Sequence, residues 1–257
     1  MLIDLKVWLD HFEYHAGRHC VLPGRTRQAL TNTDRRLIAR SIAAFQHREQ
    51  SKGDWLIRAA RRYQRVHDTA PLARIVSLLV AEERHHAALL GAFMDQHGIA
   101  EKRVGWTDRL MHRLRRAAGF ELHVGALITS ELIGKVYYRA LESATGCRQL
   151  QVLCRMLVAD ELAHVGFESD LWRAMNERRS PAARAAAEAM LRASFTVAAF
   201  ILWTKHRRVL KAAGYRMGSF LRACHAQFSF YLEPPPVRTA SAGSNGLTTL
   251  EENGALR

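Results

Sequence analysis

Two copies of one four-residue spacing carry the chemistry of this chain: Glu83-x-x-His86 and Glu161-x-x-His164, each directly following an acidic residue, Glu82 and Asp160. A helix advances about 100° per residue, so positions three, four and seven apart share a face. On that rule Leu72, Val76, Leu79, Glu83, His86 and Leu90 form one stripe, and Leu150, Cys154, Leu157, Glu161, His164, Val165, Glu168, Trp172 and Met175 a second. Ile38, Ile42, Phe45, Glu49, Leu56 and Ala60 align on a third, and Phe120, Val124, Leu127, Glu131 and Tyr138 on a fourth. Each apolar stripe has a carboxylate at its centre, and two add an imidazole one turn on. Four carboxylates converging in an apolar interior repel one another, and they protonate or destabilise the fold unless cations neutralise them. Two divalent ions balance four carboxylates, and two imidazole nitrogens complete the ligand sets. Such a shell suits iron or manganese better than calcium, and it lacks the thiolates that select structural zinc.

The elements that must position these residues all read as helices. Asn32-Thr33-Asp34 supplies an N-cap signal, and a helical pattern runs from there to about His67. Asp68-Thr69-Ala70-Pro71 is a turn that restarts the chain, with Pro71 suited to a first helical turn, and the next pattern runs to His97 and stops at Gly98. After a longer connection, which includes a short predicted helix at Trp106–Arg116, come helices at about Phe120–Ala144 and Cys147–Asn176 with Thr145-Gly146 between them. Ala182–Ala213 and Met217–Tyr231 supply two more. No β-type alternation survives, so the fold class is all-α. Two helical hairpins joined by one long crossover predict an antiparallel four-helix bundle. The expected organisation is an N-terminal extension over 1–32, the bundle over 33–178, additional C-terminal helices packed on it over 179–231, and a disordered tail over 232–257. If the hairpins turn near Asp68 and Gly146, Glu49 lies 19 residues before the first turn and Glu83 15 after it, while Glu131 and Glu161 lie 15 on either side of the second. At 1.5 Å per residue the members of each pair sit at similar height, within about 6 Å.

These residues resemble the ferritin-like di-iron carboxylate superfamily, in which one Glu comes from each of two helices and Glu-x-x-His from each of the other two. The resemblance rests on Gln46-His47-Arg48-Glu49, Ala81-Glu82-Glu83-Arg84-His85-His86, Thr129-Ser130-Glu131-Leu132 and Ala159-Asp160-Glu161-Leu162-Ala163-His164, and covers about residues 34–178. It implies two Fe ions, with Mn as the alternative, held by Glu49, Glu83, His86, Glu131, Glu161 and His164. It also implies a rubrerythrin- or oxygenase-like oxidoreductase that activates dioxygen or peroxide, probing outward to a small-molecule substrate and an external electron donor.

Other readings compete at several positions. Glu82 and His85 offer a rival Glu-x-x-His on a face with Ile75, Leu78 and Leu89. Tyr138 is a candidate to hydrogen-bond a ligand or carry an oxidising equivalent, against a core Tyr with a satisfied hydroxyl; Tyr63 sits on the corresponding side of the first helix. Glu168, one turn beyond His164, is either an extra ligand or base, or a partner for an Arg. Lys135 either reaches a carboxylate or extends outward. Glu121 lies too near a helix start to be a ligand, and Glu142 reads as a surface ion pair.

Composition bounds the remaining classes. Of 257 residues, 38 are Lys or Arg and 24 Asp or Glu, a net charge of +14, and the excess is mostly Arg. The Arg clusters are spread along the chain without interleaved aromatics, so nucleic-acid contact, including a tRNA-hydroxylase reading, is only weakly supported. No apolar run approaches a membrane span, there is no signal-peptide pattern, and the four cysteines form no Cys-x-x-Cys pair. The expectation is a cytoplasmic protein, with a homo-oligomer compatible. The leading functional expectation is oxidation of an organic substrate, since the two C-terminal helices can wall a pocket. The alternative is a peroxide-scavenging or iron-handling protein.

Overall fold

The computed structural model describes residues 3–16, 21–24, 29–50, 53–102 and 119–233, and every regular element among them is helical. Helix α1 (Leu5–Ala16) starts where the Asp4 carboxylate accepts the backbone N–H groups of Lys6 and Val7, a cap that satisfies donors the first turn leaves open. Helix α2 (Asn32–Gln50) is capped by Thr31, whose Oγ1 accepts the Asp34 N–H at 3.0 Å, so the capping side chain is one residue earlier than the sequence reading placed it. The predicted single helix from 34 to 67 is in fact two, because α3 (Asp54–His67) starts afresh after Gly53. Gly is a poor interior helix residue, and Asp54 in a first turn favours a new N-terminus. Glu49 therefore stands in the last turn of α2 rather than mid-helix.

Asp68, at φ 47°, ends α3 in the left-handed region, and Pro71 is the N-cap of α4 (Leu72–Gln96) rather than a residue of its first turn. Helices α5 (Phe120–Ser143) and α6 (Arg148–Glu177) form the most extensively packed hairpin. Helix α7 (Pro181–Ala212) starts on Ser180, whose side chain accepts the Ala183 N–H, and α8 (Met217–Leu232) follows Gly214 at φ 85°. The predicted helix at Trp106–Arg116 and residues 234–257 of the predicted tail lie outside the described residues.

Both α2 and α3 pack on α4, α3 also touches α5, and α4 meets α6, which makes a helical bundle. Its apolar interior falls into two clusters. Along α4 one cluster takes Leu72–Val80 positions and the other Leu89–Met94; along α6 the order reverses, Leu150–Leu157 and then Val165–Met175. Between them, on both helices, lie the Glu-x-x-His residues. From α2 into α3 Glu49 likewise lies between Phe45 and Leu56, which belong to different clusters.

The N-terminal segment is more than an extension. Phe12 of α1 is fully buried and its ring stacks on that of His164, with centroids 6.0 Å apart. Helix α1 comes so close to α6 that a Cβ on Gly166 would lie 2.9 Å from the Trp8 ring, and Trp8 Nε1 donates to Asp170 Oδ2 at 3.2 Å. Helix α7 packs on α5 and α2, and α8 on α7, α5 and α6. The buried face of α7 carries Leu191, Phe195, Ala199 and Trp203, while Met190, Val197, Phe200 and Ile201 stand exposed on its other side. By length and composition α7 is apolar enough to cross a membrane, although the sequence reading found no such run; this is weak ground for a span.

A polar group buried in this region sets a pH dependence. His206 of α7 shares a 2.7 Å hydrogen bond with Ser41 Oγ, which also bonds Tyr137 Oη at 2.7 Å. Burial, then Arg48 and Lys205, push the imidazole pKa down from 6.5 to about 4. The folded protein thus binds this proton later than the unfolded chain, and stability is lost as pH falls from 6.5 towards 4. Between pH 7 and 4 the wild type should lose roughly 3 kcal/mol more than His206→Gln, as measured by urea unfolding. Equal losses would contradict a neutral buried imidazole.

Candidate metal centre

Each of the six ligands expected from the sequence is buried: Glu49, Glu83, Glu131, Glu161 and His164 are 0% exposed and His86 2%. Three of them converge. Glu83, Glu161 and His164 each offer a ligand atom, and these atoms all lie within 4.8 Å of one another, so the group can hold a metal ion. His164 Nδ1 is 2.9 Å from Glu83 Oε1 and 3.3 Å from Glu161 Oε2, and His86 Nδ1 is 3.8 Å from Glu161 Oε1. The two imidazole rings sit with centroids 5.7 Å apart.

The opposite nitrogens explain why the rings point this way. His86 Nε2 is 3.0 Å from Asp160 Oδ2, and His164 Nε2 is 2.8 Å from Glu82 Oε2. Each imidazole is thus held by the acidic residue that precedes the other motif's glutamate, a crossed arrangement between α4 and α6. A carboxylate can only accept, so Nε2 donates to it and Nδ1 is the nitrogen turned to the interior, the orientation a metal-binding histidine needs once Nδ1 has released its own proton. Burial distinguishes the pair Glu83/His86 from the pair Glu82/His85. Glu83 and His86 face inward, Glu82 holds His164 from the rim, and His85 lines a surface cavity. Sequence reasoning weighed Glu82 as a ligand and treated Asp160 only as part of the pattern. The signal for their actual place was available: an acidic residue immediately before each Glu-x-x-His.

Electrostatics agree with a cation-binding interior. Burial, then the Glu131 and Glu83 carboxylates, raise Glu161 from 4.5 to about 8. Burial opposes a charge on His164, yet Glu161, Glu82 and Glu83 around it hold its pKa well above the ordinary range. His86 is raised in the same way by Asp160, Glu83 and Glu161 against its own desolvation. Protons are drawn to the place where several negative charges meet. Both Glu161 carboxylate oxygens and Nδ1 of both histidines are buried, and around these nitrogens stand carboxylate oxygens, 2.9 and 3.3 Å from His164 Nδ1 and 3.8 Å from His86 Nδ1, without a well-aligned hydrogen bond. Buried polar atoms are seldom left so, and hard oxygen and imidazole donors in this setting fit a divalent transition metal.

Glu49 has a different surround. It accepts a hydrogen bond from Tyr138 Oη at 2.8 Å and pairs with the Arg48 guanidinium. Arg48 Nη1 donates to the Ser130 carbonyl at 2.8 Å and to Ser130 Oγ at 3.0 Å, tying the end of α2 to α5 next to Glu131. Gly134 leaves room for this, since a Cβ there would lie 3.0 Å from Arg48 Nη2. Tyr138 therefore touches an expected ligand directly; burial, then Glu49, raise its pKa and keep the phenol protonated. Arg48 was not foreseen. One positive side chain among so many spread along the chain carries no distinguishing signal in sequence.

The other candidates are placed as follows. Glu168 is buried, at 1% exposure, one turn beyond His164. Lys135 is buried, donating from Nζ to Tyr231 Oη at 2.9 Å and resting over the Tyr231 ring, so it does not extend outward. Burial and Arg139 bring its pKa down to about 8. Tyr63 packs on Phe120 and His67, Glu121 pairs with Arg179, and Glu142 pairs with Arg155. Neither a family model, nor a curated protein, nor a solved structure matches this chain.

Two substitutions probe this arrangement. Asp160→Asn and Glu82→Gln should each weaken Co²⁺ affinity about 10–100-fold, the usual cost of removing a partner that orients a metal-binding histidine; calorimetry on metal-free protein measures it. Arg48→Ala should destabilise the metal-free protein by up to about 3 kcal/mol in urea, because it strips Glu49 of a positive neighbour.

Proposed function

We propose that this chain is a dinuclear non-haem metal oxidoreductase of ferritin-like architecture. Its ions, two Fe with Mn as the alternative, are held by Glu49, Glu83, His86, Glu131, Glu161 and His164. The reaction is activation of dioxygen or peroxide, with an organic small molecule as the substrate oxidised. The observation that supports this most is the crossed pair of hydrogen bonds, Asp160 to His86 and Glu82 to His164, which commits both Nδ1 atoms to an acidic, water-poor interior. An interaction module would gain nothing from burying so many carboxylates together.

When bound, a pair of redox-active ions supplies the electrons for reducing a small oxidant. The chain's own residues do the rest. Glu82 and Asp160 hold the imidazoles in one tautomer. Phe12, stacked on His164, and the two apolar clusters exclude bulk water, which strengthens each electrostatic contact inside. Tyr138 keeps a proton at Glu49 Oε1, and Arg48 offsets the charge of that carboxylate. Electrons for repeated turnover come from an external donor, for which the chain offers no Cys-x-x-Cys pair of its own.

The second reading, peroxide scavenging or iron handling, is favoured by one observation. The cavity that reaches His86 measures about 140 Å³, against the roughly 300 Å³ or more of pockets for drug-sized ligands. It suits a solute of a few atoms.

Metal analysis with Mössbauer spectroscopy on protein purified without chelator tests the proposal, with two antiferromagnetically coupled irons per chain expected. Glu83→Gln combined with Glu161→Gln should abolish that signal. A mononuclear or metal-free wild type would reject the reading. Single-turnover assays of the ferrous protein then separate the two functions: an oxygenated organic product supports the first, and peroxide consumption without one supports the second.

A further inference from the structure

The cavity beside the centre is lined by imidazoles, carboxylates and apolar side chains. It is formed where α1, α4 and α6 meet, and Ala16, Ala81, Ala159 and Ala163 leave the space open. Its polar lining is His11, His15, His85, Glu82 and Asp160, with the expected ligand His86 at its buried end. Among the described residues no Lys or Arg lines this cavity. An anion or a phosphorylated ligand would need such cations. Imidazoles and carboxylates alone suit a transition-metal cation.

The rim has the spacing for capture. His11 and His15 lie one turn apart on α1, with ring centroids 4.5 Å apart and planes inclined by 35°. Two histidines four residues apart on one helix face can share an ion. His15 is exposed and His11 half-buried, so the pair runs from solvent inward. Beside them stand the half-buried Glu82 and Asp160, the carboxylates that hold His164 and His86, and His86 itself is buried. A volume of about 140 Å³ accommodates an ion with a few of its waters, each water taking roughly 30 Å³.

We propose that this cavity is the loading vestibule of the metal centre, and that His11 and His15 capture a divalent transition-metal ion which Glu82 and Asp160 then draw inward to His86. The proposal rests on the metal-centre reading above. It assigns a purpose to α1 beyond packing: the helix brings Phe12 against His164 and, on the neighbouring face, the two histidines to the mouth.

The test uses the full metal-free chain mixed with Co²⁺, the visible d–d absorbance following uptake by stopped flow and elemental analysis giving the final stoichiometry. His15→Ala, at an exposed position, and His11→Gln/His15→Gln should load about tenfold more slowly, since local capture raises on-rates by at least that factor. The final stoichiometry should stay at the wild-type value. Wild-type rates in both variants overturn the vestibule while leaving the centre standing. A wild type that takes up no Co²⁺ overturns the centre, and the vestibule with it. If the double variant loses helicity by circular dichroism, His15→Ala alone decides, because its side chain lies in solvent.

Discussion

Negative charge held out of water is the constraint around which this molecule is organised. Glu49, Glu83, Glu131 and Glu161 are all fully buried, and such groups are tolerated only with positive or proton-donating neighbours. The chain answers in two ways. On the α2 side, Arg48 and Tyr138 face Glu49. On the α4 and α6 side, the inward nitrogens of His86 and His164 face Glu83 and Glu161, and proton affinity rises wherever no fixed cation stands. The asymmetry is informative: the Glu49 side is compensated by the protein, whereas the Glu83–Glu161–His164 group collects charge that a metal ion can neutralise.

The packing serves the same constraint. Two apolar clusters stand on either side of the polar layer along α4 and α6, so the acidic residues are insulated in both directions along the helices. Insulation raises the cost of an unpaired charge and strengthens each paired one. Helix α1 closes one flank through Phe12 and Trp8 while leaving a small opening over His86.

The basic character of the chain and its acidic interior are separate matters. Many arginines spend their charge on single outer carboxylates: Arg155 on Glu142, Arg173 on Asp170, Arg184 on Glu188 and Arg192 on Glu233. Exposed pairs of this kind contribute little to stability. Arg48 has the same side chain with a different role, because its partner is buried and its own position is shared with Ser130. Residue type alone could not separate it from the others.

Helix type, most helix limits and the inward faces were legible in the sequence, because a 3.6-residue period of apolar side chains is a local property that each segment carries by itself. So was the concentration of six carboxylate and imidazole side chains on those faces, since burying Glu49, Glu83, His86, Glu131, Glu161 and His164 follows from the same period. The break at Gly53 was visible but outweighed by periodicity on both sides of it. Tertiary structure alone decided which nitrogen of each histidine turns inward, for that depends on Asp160 and Glu82 reaching across from another helix. It also decided that Arg48 pairs with Glu49, that Lys135 meets Tyr231, and that α1 brings Phe12 onto His164. Contacts between segments far apart in the chain leave no periodic trace, and only the packed molecule brings them together.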